Sequence, residues 1–581
     1  MSAEQTSMNQ LITDNIDIWT STVKTKSASG RGSSKKRELY GVKKLRELIL
    51  ELAVRGKLVP QEPADEPASV LLERIAGEKA QLVIDKKIKK PKKLPELSLE
   101  EAESNLPVGW RWTHFINVLD FSGGGQPPKS FFSDEIKDGY VQLIQIRDLG
   151  PKPQPVYIPR EKASKFCTER DVMVGRYGAS VGKVFWGKNG AYNVALIKIH
   201  NDFDAYIPEF IHLLLKSPLG QSYFGGISRS AQDGFSKKDI EYKLVPSLSL
   251  NEQHRIVAKV DELMTLCDQL EQQTEASIEA HQVLVTTLLD TLNNSADADE
   301  LMQNWARISE HFDTLFTTEA SIDQLKQTIL QLAVMGKLVP QDPTDEPATN
   351  LLERIAEEKA QLIKEKKIKK QKALPPIADD EKPFELPNGW EWSKLQDLCF
   401  KITDGEHSTP KRTETGHYLL SARNVTNDGI ILGDVDYVPD FEFARIRNRC
   451  DPNIGDILIS CSGSVGRVAL VDRDNSYSMV RSAAMIRPCN TNLIKEYLAL
   501  MLRSTYLQFQ MKNRSKQSAQ ANLFLGAISN LVGIIPPLSE QERIVSKVSE
   551  LLVVCDQLKS HIKDSTVTQL HLTDAIVEQV V

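Results

Sequence analysis

The chain has 581 residues, a formal net charge of −6 and an apolar share of 41%. This length predicts several domains, and the apolar share suffices for their cores. There is no apolar run of about 18 residues, the N-terminus is polar and the seven cysteines lack metal-ligand spacing, so the sequence argues against a membrane span, secretion and structural zinc. We therefore expect a cytoplasmic protein whose thiols are reduced.

The first hundred residues predict an arm followed by helices. Residues 1–38 show little periodicity and contain a run rich in Gly, Ser and Lys, which predicts a flexible N-terminal arm. Over residues 37–55 Leu and Ile recur at helical spacing, and Gly56 suits the left-handed residue that ends a helix. A second apolar stripe covers residues 71–82. Residues 39–105 are therefore predicted to form a helical region.

A long internal repeat organises the chain. Residues 45–95 return as residues 325–375, with 36 identities in 51 positions. The LPxGWxW motif that begins at Leu106 returns at Leu386 with the same offset of 280 residues. A period this long is not that of a solenoid, so the chain is one duplicated half-molecule. Its function must be one that uses two similar units.

Each copy of the repeat ends in a lysine-rich run, KKIKKPKK at 86–93 and KKIKKQK at 366–372. Such a run is most often a solvated helix end or a linker, and contact with phosphate is the functional alternative. The residues alone leave both interpretations open.

Two blocks of strand-like pattern, residues 106–250 and 386–537, begin with the two LPxGWxW motifs. In both, short apolar or alternating runs divided by Gly and Pro predict strands. The predicted strands cover residues 140–146, 172–177, 183–186, 194–200, 418–422, 456–460, 468–471 and 483–487. Helices are predicted near residues 208–216, 237–242 and 495–512. Short matches such as SVGK at Ser180 and SVGR at Ser464 indicate one scaffold with different detail.

A heptad pattern follows each block. Apolar residues step by four and three at Ile256, Val260, Leu263, Cys267 and Leu270, and again at Ile544, Val548, Leu551, Cys555 and Leu558. This is coiled-coil spacing. It predicts a helix over residues 251–291 within a central helical spacer, 251–385, and a second within a C-terminal region, 538–581. In a duplicated chain the two helices are expected to pack antiparallel, and residues 296–320 predict a further helical segment.

Charge is unevenly distributed along the chain. The first block carries a net charge of +4 and the second +2, whereas the remaining residues carry −12. This distribution favours a polyanion as the partner of the blocks and proteins as the partners of the helices.

Several short motifs resemble catalytic ones and fail in detail. Residues 178–184, GASVGKV, have three residues between the glycines where a phosphate-binding loop has four, and Val184 stands where Ser or Thr would bind magnesium. A tight turn that presents a cation is the better interpretation. Residues 121–125 resemble the glycine loop of S-adenosylmethionine enzymes, but the motif that holds a target amine is missing. No Ser/His/Asp or Cys/His constellation stands out, so the sequence argues against a catalytic chain.

Loops at the ends of the predicted strands carry residues suited to DNA. Glycine lets the backbone approach a phosphate or a base edge, while Gln, Asn, Arg and Lys read bases in the major groove. The candidates in the first block are Gly124, Gly125, Gln126, Arg147, Arg176, Tyr177, Lys183, Arg229 and Gln232. The candidates in the second block are Asp404, Gly405, His407, Arg423, Arg467, Arg481, Lys512, Arg514, Lys516, Gln520 and Asn522.

The two sets are predicted to correspond. Residues 123–127 and 404–407 are expected to occupy equivalent places after the first strand of each block. Arg423, Arg467 and Arg481 are expected to match the cations at the strand ends of the first block. For His407, a hydrogen bond within the loop is the ordinary interpretation.

The order of these elements resembles the specificity subunit of a type I restriction–modification enzyme. The residues that carry the resemblance are LSLNEQHRIV at 248–257, LAVMGKLVPQ at 332–341, LSEQERIV at 538–545, the two LPxGWxW motifs, GGGQPPK at 123–129 and TDGEHSTP at 403–410. The match covers nearly all of the chain beyond residue 38.

The resemblance implies an α+β fold in which two mixed α/β target-recognition domains, 106–250 and 386–537, are separated by long antiparallel coiled-coil helices. It implies a non-catalytic subunit that binds double-stranded DNA, each domain reading one half of a bipartite, asymmetric site. Two methylase subunits would dock on the helices, and motor–nuclease subunits would join them. The side chains expected to bind these partners are Leu263, Leu270, Leu332, Leu551 and Leu558. S-adenosylmethionine, ATP and magnesium would belong to the partner subunits, with no cofactor in this chain.

Two other functions remain open at this point. A coiled-coil protein–protein scaffold would use the acidic helices and leave the basic loops incidental. A self-contained methylase or nuclease would need the motifs that fail above. Salt-dependent DNA binding separates a DNA-binding subunit from a scaffold, and activity of the purified chain alone would support an enzyme.

Overall fold

A computed structural model describes residues 8–26, 36–88, 94, 106–226, 234–296, 298–489, 493–515 and 521–580. The chain forms two compact units, one of Met1–Ser277 with Thr566–Val581 and the other of Ile278–Ser565. Both units combine helices with small sheets, which confirms the predicted α+β class. None of the described helices has the length and hydropathy that a membrane crossing requires.

The first unit begins with a packed N-terminal segment. It consists of helices α1 (Met8–Asp14) and α2 (Ile16–Ser21) and strand β1 (Val23–Lys26), which pairs with β2 (Lys36–Leu39). Trp19 is fully buried, and the buried hydroxyls of Thr22 and Thr573 lie 3.1 Å apart. The prediction of a flexible arm is therefore wrong for residues 8–26. This segment is folded, with Trp19 fully buried, although its sequence shows no clear apolar periodicity. Residues 27–35 lie outside the described residues.

Two helices of the repeat come next. Helix α3 (Tyr40–Val54) starts after β2, so the helix predicted from residue 37 begins three residues later. Its leucine face is buried, and Gly56 has the left-handed φ of 67° that was expected at its end. Helix α4 (Ala68–Ile84) follows Pro67.

The first block is built from short strands with four small helices. Its elements are β3 (Arg111–His114), α5 (Phe115–Val118), β4 (Asp120–Gly123), β5 (Tyr140–Ile144), β6 (Tyr157–Pro159), β7 (Phe166–Cys167), β8 (Val172–Gly175), β9 (Val184–Trp186), β10 (Gly190–Tyr192), β11 (Leu196–His200), α6 (Pro208–Lys216), α7 (Pro218–Ser222), α8 (Lys237–Ile240) and β12 (Leu244–Ser247). The sheet orders are β6-β5-β10-β7 and β4-β11-β8-β9, and β12 pairs with β3, so the two ends of the block meet. The strands and helices predicted here are confirmed.

Five helices join the two blocks. They are α9 (Leu250–Asn293), α10 (Ala298–Glu310), α11 (Phe312–Leu315), α12 (Glu319–Val334) and α13 (Ala348–Lys364). Helix α9 confirms the prediction for residues 251–291, and α10 with α11 confirms the helical segment near residues 296–320. Helices α12 and α13 repeat α3 and α4, as the 280-residue offset requires.

The second block repeats most of the first block and differs in a few elements. Its elements are β13 (Glu391–Lys394), β14 (Cys399–Asp404), β15 (His417–Leu420), β16 (Val425–Thr426), β17 (Gly429–Ile430), β18 (Asp436–Val438), α14 (Asp440–Arg447), β19 (Ile457–Ser460), β20 (Val468–Leu470), β21 (Tyr477–Met479), β22 (Ala483–Pro488), α15 (Lys495–Arg503), α16 (Thr505–Ser515), α17 (Leu525–Ser529) and β23 (Val532–Ile535). The orders β14-β22-β19-β20 and β13-β23 reproduce pairings of the first block, whereas β18-β15-β21 lacks a counterpart of β7. The sequence predicted neither α14 nor the β16-β17 pair, which the second block has in addition.

One predicted helix of the second block is two helices. The sequence predicted a single helix near residues 495–512, whereas α15 ends at Arg503 and α16 begins at Thr505. Ser504 between them is extended, with φ −63° and ψ 153°, and its hydroxyl lies 3.4 Å from the Leu507 amide. The prediction was wrong because Ser504 leaves the helical backbone to cap the next helix, although the apolar pattern continues across it.

The chain ends in a second long helix, α18 (Leu538–Val580). Helix α9 begins in the first unit and ends in the second, and α18 begins in the second and ends in the first. Each long helix therefore has residues in both units. The heptad positions Ile256, Leu263 and Cys267, with Ile544 and Val548, are fully buried.

A buried polar contact ties the first block to the start of α9. The Trp110 indole N–H donates to Glu252 at 2.8 Å, and the Gln61 amide donates to the other oxygen of the same carboxylate at 2.6 Å. Arg255, one turn further along α9, pairs with Asp65 at 2.6 Å. Burial raises the pKa of the Glu252 carboxyl, and the two hydrogen bonds oppose that effect. We call Trp110, Glu252 and Gln61 the first Trp–Glu–Gln contact.

The second unit contains the same arrangement. The Trp390 indole donates to Glu540 at 2.9 Å and the Gln341 amide donates to Glu540 at 2.7 Å. Arg543 pairs with Asp345 at 2.6 Å. Burial likewise raises the pKa of Glu540. This second Trp–Glu–Gln contact shows that the duplication extends to the hydrogen bonds where block and long helix join.

Candidate nucleic-acid interface

The first glycine loop is held to its block by main-chain hydrogen bonds. The Gly124 N–H donates to the carbonyl of Leu196 at 3.2 Å, and the Gly125 N–H donates to that of Tyr192 at 3.0 Å. The loop thus follows directly from β4 and lies against the turn between β10 and β11.

The second loop makes the equivalent bonds. The Gly405 N–H donates to the carbonyl of Ala483 at 3.3 Å, and the Glu406 N–H donates to that of Met479 at 2.8 Å. Isolated parallel bridges, Gly125 with Asn193 and Glu406 with Val480, complete the match. The predicted equivalence of the two loops is confirmed.

The glycines at these two places are required by the chain itself. A Cβ on Gly124 would lie 2.2 Å from the carbonyl oxygen of Asn193, and a Cβ on Gly405 would lie 2.2 Å from that of Met479. Real Cβ atoms do not approach oxygen this closely, so only glycine fits. The sequence pointed to close approach of DNA as the reason, but the neighbour that excludes a side chain is a strand of the same block.

A small cavity lies beside the first loop. Its volume is about 140 Å³, and its lining includes Gly125, Gln126, Lys162, Ser164 and Tyr192. A Cβ on Gly125 would lie 2.4 Å from the Ser164 hydroxyl, whereas the side chain of Gln126 is exposed. The loop therefore presents one amide side chain next to an open polar space.

Ion pairs occupy the corresponding place in the second block. Asp404 accepts from Arg449 at 2.5 Å and lies 2.7 Å from Nε2 of His407. Glu406 pairs with Arg445, on α14, at 2.9 Å. Hydrogen bonds from the amide and hydroxyl of Ser408 lower the pKa of the Glu406 carboxyl. The second loop is therefore anchored by two arginines, and it leaves His407 exposed.

Two of the predicted arginines follow equivalent strands. Arg147 lies on the single turn after β5 and Arg423 on the single turn after β15. Asp148 and Asn424, the next residues, each accept the main-chain N–H three positions earlier at 2.9 Å, which fixes both turns. Arg147 is exposed, while Arg423 pairs with Asp436 at 3.1 Å. The backbone thus presents both arginines in the same way.

The hairpin between β8 and β9 carries the next candidates. Its turn is the tight one that the glycines of residues 178–182 predicted, and Lys183 after it is exposed. The Arg176 guanidinium lies 5.0 Å from the ring centre of Tyr177 and donates to the carbonyl of Phe235 at 3.2 Å. A Cβ on Gly123 would lie 3.2 Å from Arg176, so this arginine adjoins the glycine loop.

The matching hairpin of the second block lacks that arginine. The Cys461 N–H donates to the carbonyl of Ser482, as the Arg176 N–H donates to that of Ala195. Buried Cys461 therefore stands where Arg176 stands, and the predicted match of Arg481 to a cation of the first block is wrong. Because Ser482 and Ala195 are equivalent acceptors, Arg481 corresponds to Val194. Arg481 is exposed nonetheless.

The remaining candidates differ in their surroundings. Lys512 is exposed on α16, and Arg467 donates to the Ser464 hydroxyl at 2.7 Å. Asn522 pairs through its main chain with Ser462. Arg514 instead pairs with Glu381 at 3.1 Å within its own unit. The candidates that lie outside the described residues are Arg229, Gln232, Lys516 and Gln520.

The sequence missed functional candidates on α14 and after it. Arg445 and Arg449 hold the second loop and remain about half exposed, at 45% and 48%. The alternation of arginines at 445, 447 and 449 was a signal that could have found them.

The five leucines predicted to bind partner subunits are buried or partly buried within the chain itself. Leu263 is fully buried and Leu332 is 7% exposed, so these two cannot form a docking surface. Leu551 and Leu558 pack against the core of the second unit with part of their surface exposed. The heptad periodicity that suggested them marks internal packing. Leu270 is half-buried.

Comparison with known proteins is consistent over the whole chain. A family model, the type I restriction modification DNA specificity domain, matches residues 387–565. The type I restriction enzyme EcoAI specificity subunit of Escherichia coli is 41% identical, over 98% of this chain and 99% of its own. The Escherichia coli EcoEI specificity subunit is 40% identical with the same coverage. The HsdS subunit from Thermoanaerobacter tengcongensis superposes with a TM-score of 0.39, at 17% identity, over 83% of this chain and 99% of its own. The chain belongs to the family of type I restriction–modification specificity subunits.

Proposed function

We propose that this chain selects the DNA sequence on which a type I restriction–modification complex acts, with each block reading one half of a bipartite, asymmetric site. The observation that carries the proposal is the pair of loops, which share their main-chain bonds and differ in their side chains. A common framework with different surface groups is what two readers of two different half-sites require, because base edges are distinguished by side-chain donors and acceptors.

In the first block we assign the reading surface to the side chains around the glycine loop. Gln126 is exposed beside the cavity, Arg176 adjoins Gly123, and Arg147 and Lys183 are exposed at strand ends. Glutamine pairs with adenine through two hydrogen bonds, and arginine pairs in the same way with guanine.

In the second block the assigned surface combines arginines with carboxylates. His407, Arg445 and Arg449 surround the anchored loop, with exposed Arg481 following β21. Arg449 pairs with Asp404 and Arg445 pairs with Glu406. These ion pairs neutralise the two carboxylates, which would otherwise repel phosphate.

The chain acts as a recognition subunit and leaves the chemistry to its partners. Two methylase subunits would dock on the exposed faces of α9 and α18, and motor–nuclease subunits would join that assembly. S-adenosylmethionine, ATP and magnesium would be held by those subunits. The complex would act on DNA in the cytoplasm.

Exchange of one block tests the modular assignment. We expect that replacing residues 106–250 with the equivalent residues of the EcoAI specificity subunit changes one half of the methylated sequence and leaves the other half intact. The readout is methylome sequencing of cells that express the complex, and exchange of residues 386–537 is the reciprocal control. A change in both half-sites from either single exchange would refute the assignment.

Lengthening the long helices tests their role as a spacer. One heptad added to both α9 and α18 keeps the heptad register and adds about 10 Å, at about 1.5 Å per residue. We expect a longer gap between half-sites with the same bases read. An unchanged gap in a complex that still methylates DNA would exclude this role.

A further inference from the structure

The lysine-rich run of the second unit is a solvent-facing series of charges. Residues 366–372 contain no acidic residue, and the exposed members are Lys366, Lys367, Lys369, Lys370 and Lys372. We call these five the lysine track. Residues 369–378 form neither helix nor strand, so the last three lysines do not belong to a helix surface.

The lysine track is held in place against the second block. The Lys359 ammonium on α13 donates to the Gln371 side chain at 3.0 Å and to the carbonyl of Gln396 at 2.7 Å. The Gln396 amide in turn donates to the carbonyl of Lys372 at 2.8 Å. These hydrogen bonds hold Gln371 and Lys372 beside α13 and the start of the second block. The lysine track therefore has a defined position there.

One lysine of the track occupies a backbone position that favours glycine. Lys366 is the second residue after α13 and has a left-handed φ of 58°. Lys86 is the second residue after α4 and has a φ of 59°. Glycine is the usual residue there because it has no Cβ. Both halves of the molecule keep a cation at this unfavourable position, which indicates that the charge itself is used. Lys87 follows in the first half, and residues 89–93 lie outside the described residues.

Structural roles do not account for the whole track. A cation near the last turn of a helix is favoured by the helix dipole, which covers Lys366 and Lys367 and does not reach the three lysines beyond. Among the described residues, Lys367 pairs with Glu365 at 2.8 Å, and the other four make no ion pair. Four unneutralised charges therefore face solvent together.

We propose that the lysine track binds the sugar–phosphate backbone of duplex DNA, independently of sequence, next to the half-site that the second block reads. Lysine binds phosphate as a flexible point charge without a fixed hydrogen-bond geometry, which suits a contact that does not depend on the bases. The inference rests on the DNA binding proposed above and adds a contact outside the recognition loops. Residues 366–372 would therefore contribute to the affinity for DNA without contributing to the choice of bases.

Salt dependence of DNA binding tests this directly. The assembled complex is titrated by fluorescence anisotropy with a duplex of mixed sequence at 50–200 mM KCl. Each phosphate contact contributes about 0.9 to the slope of log affinity against log salt. For the K369Q/K370Q/K372Q variant we expect the slope to fall by up to about 2.7, with at least a tenfold loss of affinity at the lowest salt and the same methylated sequence.

A matched variant separates position from net charge. K24Q/K43Q/K382Q removes the same charge from exposed lysines that lie on neither α9 nor α18, and we expect it to keep the wild-type slope. Equal slopes for wild type and the track variant would overturn the inference, as would loss of methylase subunits with an unchanged slope. Absence of salt-dependent binding in the wild-type complex would instead contradict the proposed function.

A single substitution provides a second measurement. K366G places glycine at the left-handed residue, so we expect thermal stability to be kept or raised while the slope falls by about 0.9. A K366G variant that keeps the full slope would count against this lysine as a phosphate ligand.

Discussion

The glycine loops of the two blocks share their main-chain hydrogen bonds but differ in the side chains and the space around them. Gly124 and Gly405 make the same main-chain bonds, yet the first loop borders an open cavity of about 140 Å³ and the second is closed by Arg445 and Arg449. The arginines come from α14 and the residues after it, an element that the first block lacks.

This difference shows which part of a recognition block is constant and which part varies. The constant part is a set of amide–carbonyl bonds and buried contacts that serve any loop. The variable part is the set of side chains placed on that framework, together with inserted elements that hold them. The following experiments test whether the main-chain framework and the side chains placed on it have these separate roles.

The largest effect is expected at the loop glycines. In G124A and G405A the new methyl group would lie 2.2 Å from a main-chain oxygen, and the backbone must move apart. Forced overpacking of this kind costs about 1–3 kcal/mol or more. We expect similar losses for both, measured by chemical denaturation and by hydrogen exchange of the strands in the affected block.

G433A is the control, because nothing lies within 4 Å of a Cβ at that glycine of the second block. If G124A and G405A differ greatly from each other, or neither differs from G433A, then the two loops do not share one framework.

The next effect is expected at the two Trp–Glu–Gln contacts. E252A leaves the Trp110 and Gln61 N–H groups without their acceptor, and E540A does the same to Trp390 and Gln341. An unpaired buried donor costs about 1–3 kcal/mol. We expect losses of this order in both variants, each confined to hydrogen exchange in its own unit. A loss in one unit alone would show that the repeated contact has unequal roles.

The same carboxylates predict a dependence of stability on pH. Burial raises the pKa of Glu252 and Glu540 above their unfolded values, so ionisation opposes folding. Their contribution is fully present below the unfolded pKa and is lost as pH rises through the higher folded pKa. We expect the free energy of unfolding to decrease across that range, and the E252Q/E540Q variant, which cannot ionise, to remove this part of the pH dependence. Denaturant midpoints at a series of pH values are the measurement.

The smallest change in stability, and the most selective change in function, is expected at the arginines of the second loop. Arg445 and Arg449 are about half exposed, and exposed ion pairs contribute only about 0–1 kcal/mol. R445A/R449A should therefore melt near the wild-type temperature while methylation declines at sites defined by the second half-site. R473A, which breaks another exposed pair of that block, is the control. Equal loss at sites that differ only in the first half-site would contradict the assignment.

Features set by local pattern could be predicted from the sequence. Helix Pro208–Lys216 was located residue for residue because its apolar spacing and its proline are local signals. The repeat, the long helices and most strands were found for the same reason. The break at Ser504 was not, since it depends on the serine adopting an extended backbone inside a continuous pattern.

Features set by distant contacts could not be predicted. The Thr22 hydroxyl of the N-terminal segment lies against Thr573, more than 500 residues away in the chain. The need for glycine at position 405 depends on the carbonyl of Met479. Arg481 was expected to match a cation of the first block, but the equivalent main-chain bonds to Ser482 and Ala195 make Val194 its counterpart. Arg449 was missed because it acts through Asp404, which precedes it by 45 residues.

The main-chain bonds that the two loops share join amide and carbonyl groups and leave the outward-facing side chains out. Exchange of those outward-facing residues would therefore keep these bonds, provided that the two glycines stay. New target preferences could thus arise without a change in the framework that carries the loops.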